Sequence, residues 1–399
     1  MDSAQVRVGR PLRIGLHSPY FGSAYGGGEK YLGTVAEILR DRYPEHRIEL
    51  VSPVPVDGEA YRRVLGLDLS GITLRSGTRR VTAAHRVVAR APGLRPLRNA
   101  LVARQAAAMT RGYDLWIAMV YVIPAISRAR RSVMLCQFPY RLRTRRARHE
   151  IAAFDPIICQ SQYVEGRVRD FWDRGARVLP PPIDIPLAEP DWSRKRHLIL
   201  SVGRFVAGGH VKRHDVMAST FGRLCEAGVT GWELVLAGSL HRDRDSLDYF
   251  RRVQALARGH PIRILTDVAR SDLRRLYEEA SIYWHAAGFG VDAVAHPEAL
   301  EHFGMTTVEA MASGAVPVVI GRGGQPEVVE DGVSGYLWQA SHELIAATLR
   351  LTGDPALRNR MRLAARAASK KFDRTAFEER LLSYLDQPIR EAAEGEGLL

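Results

Sequence analysis

Pro297-Glu298-Ala299-Leu300-Glu301-His302-Phe303-Gly304-Met305-Thr306-Thr307-Val308-Glu309-Ala310-Met311-Ala312-Ser313-Gly314 runs into the apolar stretch Ala315-Val316-Pro317-Val318-Val319-Ile320. Phe303-Gly304 reads as a turn, residues 305–313 as a short helix, Gly314 as its stop, and residues 315–320 as a buried strand. The helix therefore begins between two acids, Glu301 and Glu309. The first N–H groups of a helix lack partners within it, and its dipole favours an anion there. Gly304 has no side chain, so a ligand can approach the main chain closely. Each carboxylate can accept two hydroxyls. The local chemistry suits a ligand with a phosphate in its middle and a polyol at each end.

Glu301, seven residues, then Glu309 resembles the E-x7-E motif of retaining glycosyltransferases of family GT4, which have the GT-B fold. The His302-Phe303-Gly304 core is similar to that of dolichol-linked mannosyltransferases and many bacterial relatives. The resemblance implies a nucleotide-sugar donor, with Glu301 on sugar hydroxyls and the anomeric centre and Glu309 on the ribose. Phe303, Gly304, Met305, Thr306 and Thr307 would line the donor pocket.

The chain of 399 residues is long enough for two ordinary domains, and 46% apolar with 25% charged residues is a globular composition. No apolar run of 18 residues suggests a membrane span, and residues 1–5 lack the apolar core of a secretory signal. Cys136, Cys159 and Cys225 are widely spaced with no metal-ligand pattern, so a reduced, cytoplasmic setting is expected. The net charge of +13 is uneven. Residues 1–186 hold 30 Lys and Arg against 16 Asp and Glu, whereas the remainder holds 27 against 28. A basic first half fits nucleic acid, anionic lipid or a phosphorylated substrate. Its arginines are not interleaved with aromatic residues for base stacking, which argues against specific nucleic-acid binding.

Leu12-Arg13-Ile14-Gly15-Leu16-His17 reads as the first strand, with a loop ending in Gly26-Gly27-Gly28 and a helix from about Glu29 to Arg40. This is a phosphate-binding type of turn without the G-x-G-x-x-G or P-loop spacing, so neither a dehydrogenase nor an NTPase follows. In the family a Gly-Gly before Glu approaches the donor diphosphate, and Gly27, Gly28 and Glu29 match it. Further strands are expected at residues 47–51, 115–120, 132–138 and 155–159, with helical segments between them, which gives a doubly wound parallel sheet. Ser161-Gln162-Tyr163 and Pro181-Pro182-Ile183-Asp184 resemble family landmarks that precede the crossing to the second domain. Where many relatives carry a His, this chain has Gln137, which hydrogen-bonds but does not titrate. His17 and Gln137 are the candidates on the acceptor side. Arginines recur between Arg75 and Arg148, and residues 81–91 and 101–109 read as basic amphipathic helices, a candidate surface for peripheral contact with anionic lipid.

In the second half, residues 197–204 read as a strand ending at Gly203-Arg204, and Lys212-Arg213-His214-Asp215 opens a helix. This element resembles the family's VGR…KghD pattern, whose Arg and Lys grip the donor diphosphate; here they are Arg204 and Lys212. Fixed cations stabilise a departing diphosphate without a metal, and no DxD-type metal cluster is placed for one. Strands follow at residues 232–239, 262–265, 281–285 and 335–338. Val268 would lie near the base, residues 286–296 over the donor pocket, and Gly323-Gly324-Gln325-Pro326-Glu327 resembles the family's GGxPE loop beside the sugar. An amphipathic helix is expected over 374–392 and a frayed tail beyond 391.

The reading is α/β: GT-B, two Rossmann-like doubly wound parallel-sheet domains facing an interdomain cleft. The N-terminal, acceptor-binding domain is residues 1–186, with helix 374–392 packed back on it; the C-terminal, nucleotide-sugar-binding domain is 187–373. The expected function is metal-independent, retaining transfer of a hexose, with no cofactor. GDP-mannose is the first expectation for the donor, and UDP-sugars stay open. The acceptor is a hydroxyl on a lipid-linked glycan, a polysaccharide precursor or a secondary metabolite. The competing readings are a nucleotide-sugar epimerase of the same fold and a nucleic-acid-binding protein with a basic surface.

Overall fold

The computed structural model describes residues 10–23, 25–76, 108–121, 126–142, 144–183, 191–208 and 210–394. The helix expected over 81–91, most of that over 101–109, Arg79 through Arg104, Arg143, Gly209 and the 186/187 boundary lie outside these residues. The chain divides into two compact units, each built on its own sheet. The first holds the described residues up to Gln160, then Val164–Leu179 and those from Phe377 onward; the second holds Ser161–Tyr163 and the described part of Pro180–Ala376.

The first sheet contains β1 (Arg13–His17), β2 (Arg47–Ser52), β3 (Thr73–Ser76), β4 (Leu115–Val120), β5 (Arg131–Cys136), β6 (Ile157–Cys159) and β7 (Arg177–Val178). All pairings are parallel, in the order β3-β2-β1-β4-β5-β6-β7. The central strand β4 is apolar throughout because helices cover both faces of such a sheet; every one of its residues is buried. Helix α1 (Gly27–Arg42) follows β1, and α2 (Gly58–Leu65) follows β2. Helices α3 (Arg145–Ala152) and α4 (Gln162–Trp172) flank β6.

The second sheet contains β8 (Arg196–Val202), β9 (Glu233–Gly238), β10 (Ile262–Thr266), β11 (Ala280–His285), β12 (Val316–Ile320) and β13 (Tyr336–Trp338). Its order is β10-β9-β8-β11-β12-β13, again all parallel. Its helices are α5 (His214–Glu226), α6 (Arg244–Ala257), α7 (Arg270–Glu279), α8 (Met305–Ala312), the single turn α9 (Gln325–Val328), α10 (Ser341–Gly353) and α11 (Pro355–Ser369). In each unit the strand order reverses beside the first strand, between β1 and β4 and between β8 and β11. A doubly wound sheet opens its ligand crevice there, at the carboxyl ends of the strands.

The last helix, α12 (Arg374–Glu394), buries Phe377, Leu381, Leu385, Ile389 and Ala392 in the core of the first unit. Their four-residue spacing keeps them on one face. The helix passes Pro388 and runs to Glu394, so the fraying expected from 391 does not begin there. Two strands escaped the sequence reading. β3 lies mostly exposed at a sheet edge and β7 is two residues long, so neither shows an apolar run. No described helix is long and apolar enough to cross a membrane.

Candidate functional site

The candidate centre of the second unit is assembled at the carboxyl ends of β8 and β11. His285 closes β11, every residue of which is buried. Sixteen residues later Glu301 returns to it, and the His285 Nε2–H donates to Glu301 Oε2 at 3.0 Å. The Lys212 ammonium donates to the same oxygen at 2.5 Å, across 89 residues of sequence. His210 Nε2 stands 3.7 Å from it, and its ring stacks on His302 at 5.2 Å between centroids. Gly203 makes room for this arrangement, because a Cβ there would stand 2.6 Å from Cγ of Lys212.

Glu301 is buried, which alone would favour its neutral form. Lys212, then His210 and His285, outweigh that and hold the carboxyl well below the usual range. Burial pushes the His285 imidazole down, against the pull of Glu301, and pushes His210 well below its ordinary value. Glu301 is therefore a fixed anion and the two histidines are neutral at pH 7. All three contacts use Oε2; Glu301 Oε1 has no partner among the described residues.

Gly304 follows at φ +107°, outside the range an L side chain adopts readily, and starts α8. The N–H groups of Thr307 and Val308 close onto the Gly304 carbonyl, at 3.0 and 3.1 Å. Of the N–H groups expected to be available to a ligand, that of Thr307 is thus already used. Its hydroxyl is buried without a hydrogen-bond partner. Thr306 Oγ1 accepts from the Tyr283 hydroxyl at 2.7 Å, and Met305 is half-buried. The Phe303 ring is a core residue packed on Phe372, so only its main chain is offered to a ligand. One turn into α8, Glu309 Oε2 accepts from the Tyr277 hydroxyl at 2.9 Å.

The loop after β12 packs on this segment. A Cβ on Gly323 would stand 2.1 Å from the Glu301 carbonyl, and one on Gly324 would stand 2.4 Å from that of His302. The Gly324 N–H donates to the Glu301 carbonyl at 2.8 Å. Gln325 lies fully buried against Gly304 with both polar atoms of its side chain unpartnered. Glu327 accepts from the N–H groups of Gln162 and Tyr163, at 2.7 Å each, so its carboxylate caps a helix start.

Arg204 follows β8, exposed and with no ion pair among the described residues. Val268 follows β10, half-buried, after Asp267 at φ +53°. The structure therefore brings Lys212, Glu301 and His285 into contact and places Gly304–Thr307 directly after them, with Arg204 and Val268 on neighbouring strand ends.

The candidates in the first unit are also at strand ends. His17 closes β1, donates from Nδ1 to the Val51 carbonyl at 2.7 Å and stacks on Trp116. Burial pushes its pKa down, so it is neutral and engaged. Gln137 follows β5 and is buried; its main chain bonds Val120 and Gln160. Gly27 and Gly28 start α1, where the buried Glu29 accepts from the Gly26 N–H, Ser18 and Tyr121. The space beside Gly28 is filled by Tyr121, whose hydroxyl a Cβ would meet at 1.9 Å.

Sequence reasoning missed His285, His210, Tyr277 and Tyr121, and placed Gln325 only as part of a loop beside the sugar. For His285 one signal exists: an ionisable residue closing the uncharged, fully buried strand Ala280-Ser281-Ile282-Tyr283-Trp284.

Residues 187–368 match the family described as Glycosyl transferases group 1. Among curated proteins, the GDP-Man:Man(3)GlcNAc(2)-PP-Dol alpha-1,2-mannosyltransferase of Homo sapiens is 26% identical over 58% of this chain and 48% of its own length. The trehalose synthase of Pyrococcus horikoshii is 27% identical over 54% of this chain and 53% of its own. The chain thus spans about half the length of the curated relatives it matches. Among solved structures, a glycosyltransferase from Rickettsia africae superposes with a TM-score of 0.67 at 14% identity, over 95% of this chain and 99% of its own. The Anabaena protein HepE in complex with UDP-glucose gives 0.65 at 17%, over 94% and 100%.

Proposed function

From the premise that residues 187–368 form a glycosyl transferases group 1 domain and that the chain has the GT-B fold, we propose that the protein moves a hexose from a nucleotide-diphosphate sugar to a hydroxyl acceptor. The transfer retains the anomeric configuration and needs no metal and no cofactor. The observation that carries this reading is the set Glu301, Lys212 and His285 joined beside the start of α8.

In this reading Glu301 supplies a permanent negative charge near the anomeric carbon, where positive charge develops. Its Oε1 takes a sugar hydroxyl while Oε2 is held by protein. Lys212 has three donors and gives one to Glu301, which leaves two for the departing diphosphate. Arg204 adds a planar fork of donors. The N–H groups of Met305 and Thr306 at the helix start add partial positive charge. Such preorganised groups act where charge appears in the transition state. Glu309, steadied by Tyr277, takes the ribose hydroxyls, and Val268 lies toward the base.

GDP-mannose is the first donor proposed, because the human and Dictyostelium relatives are named for it. A UDP-sugar is the second, after the UDP-glucose complex of HepE. The acceptor class is a lipid-linked or phosphorylated glycan precursor.

The test is thermal stability with GDP-, UDP-, ADP- and dTDP-sugars, for the wild type and Glu309→Ala. A donor at about 100 times its dissociation constant adds ~2.7 kcal/mol, a rise of a few degrees. One donor should stand out and lose its effect in Glu309→Ala. No shift with any donor overturns the reading. Conversion of that donor in the absence of acceptor would identify an epimerase instead.

A further inference from the structure

A second concavity of the second unit lies at the amino ends of its strands, away from Glu301. Lys195 precedes β8, Ser281 is near the start of β11, and Gly314 precedes β12; the first turns of α11 complete the wall. The cavity measures about 460 Å³, within the range that takes a small ligand. Its charged lining is entirely cationic: Lys195, Arg358 and Arg362. The two arginines are four residues apart on one helix face.

None of the three has a carboxylate partner among the described residues. Lys195 donates only to main-chain carbonyls, of Ala280 at 2.6 Å and Tyr277 at 3.2 Å. Arg358 donates to the Leu351 carbonyl and lies over the Trp232 ring. Arg362 lies 4.4 Å over the Trp192 ring, and its Nε is buried with no hydrogen-bond partner. The neighbouring acids are engaged elsewhere. Glu278 pairs with Arg194 at 2.7 Å and Arg274 at 3.3 Å, and Asp354 caps α11 on the Leu357 N–H at 2.8 Å. Burial, together with Arg362, pushes the Lys195 ammonium down to about 7, and burial lowers both arginines.

The first unit shows the contrasting case. Its cavity at the amino ends of the strands is also rich in arginine, but there Arg10 meets Asp114 at 2.7 Å and Arg13 meets Glu49 at 3.0 Å. In the second unit no described carboxylate supplies the counter-charge. Three gathered cations repel one another and favour an anion with at least two charges. Arginine forks match phosphate oxygens in geometry.

We propose that this cavity is a binding site for a phosphate group, carried by a small phosphorylated molecule or a phospholipid headgroup and held by Lys195, Arg358 and Arg362. The occupant replaces one intramolecular contact of Lys195 and supplies the missing partner of Arg362 Nε. This site stands independently of the donor reading.

Calorimetric titration with inorganic pyrophosphate tests it in an Arg204→Ala background, which weakens any diphosphate binding at the donor site. Saturable binding is expected, weakened at least tenfold by adding Arg358→Gln and Arg362→Gln. Equal affinity with and without the two substitutions, or no binding, overturns the proposal. Failure of the donor reading shows separately, as pyrophosphate binding that Arg204→Ala leaves unchanged from wild type. If the substituted protein does not fold, hydrogen exchange on the wild type replaces it. Pyrophosphate should then slow exchange at residues 192–195 and 355–362, and no slowing there is equally fatal. Sedimentation with phosphatidylglycerol vesicles separates the two sources. Co-sedimentation that Arg358→Gln and Arg362→Gln abolish identifies a headgroup; pyrophosphate binding without co-sedimentation identifies a free metabolite.

Discussion

Lys212 and His285 reach the same oxygen of Glu301, and that shared oxygen decides what each substitution does. With side chains only 16% and 11% exposed, Lys212 and Glu301 form a nearly buried ion pair. Removing one partner of such a pair strands the other and costs about 3 kcal/mol. Lys212→Met should therefore lose stability as well as turnover, the latter by about 10²- to 10³-fold if the lysine faces the leaving group. The stability part has a pH signature. The folded pKa of Glu301 is depressed, so its contribution is present above the ordinary carboxylate value of about 4.5 and is lost as pH falls through the folded value. The gap between wild type and Lys212→Met in urea unfolding should be widest near pH 7 and should narrow below about pH 4.5. A gap that stays constant down to pH 3 would show that the pair is not coupled as described. In the sequence, Glu301, Glu309 and Lys212 were readable because each stands in a recognisable local pattern. Their partners His285, His210 and Tyr277 were not, because those contacts form only once the strands are side by side.

At the scale of elements, two glycines fix how loops enter helices. Gly304 sits at φ +107°, and a Cβ there would stand 2.9 to 3.1 Å from the Gln325 side chain. Gly304→Ala combines backbone strain with that close contact and should cost about 1–3 kcal/mol. It should also disturb the N–H groups at the start of α8. Gly28 has ordinary helical geometry, and its main constraint is Tyr121, with Met119 Sδ next at 3.4 Å. Gly28→Ala should destabilise the first unit, and the pair Gly28→Ala with Tyr121→Ala should recover part of that loss in melting temperature. Additive losses in the pair would mean that Tyr121 is not what excludes a side chain at Gly28. The glycine-rich turn was legible before the structure, but the reason for Gly28 was not: the sequence suggested space for a ligand, and the structure fills it with a tyrosine. Strands were legible where the sheet buries both faces, as in Leu115–Val120 and Val316–Ile320. They were invisible at the edges, where β3 and β7 carry no apolar pattern.

At the scale of the whole molecule, burial has collected neutral histidines in both units. His17 and His46 lie in the first; His210, His214, His285 and His302 lie in the second. Desolvation is the leading cause of a lowered pKa at each of the six, with His214 pushed down to about 3. The sign follows from proton counting. Below the ordinary histidine value of about 6.5 the unfolded chain binds protons that the folded one refuses, so stability is lost as pH falls. Each histidine that stays neutral contributes a slope of up to about 1.4 kcal/mol per pH unit. Carboxylates act lower down: Glu49, held by Arg13, Tyr113 and Arg75, is pulled down to about 2 despite its burial, and its contribution is lost only below about pH 4.5. Urea midpoints should therefore fall from pH 8 to pH 7, where the folded chain refuses a proton that Lys195 binds when unfolded, continue to fall from about pH 6.5 through the histidines, and fall further below pH 4.5. The histidine part is separable, because His214 is buried against Phe205 and Tyr249 with its Nε2 unpartnered. His214→Phe removes one titrating group from that wall, so the decline between pH 6.5 and pH 5 should become shallower, whatever the substitution does to stability at pH 8. An identical slope in the variant, or a wild type whose stability is flat from pH 7.5 to pH 5, would show that the buried rings do not govern the acid limit of this fold.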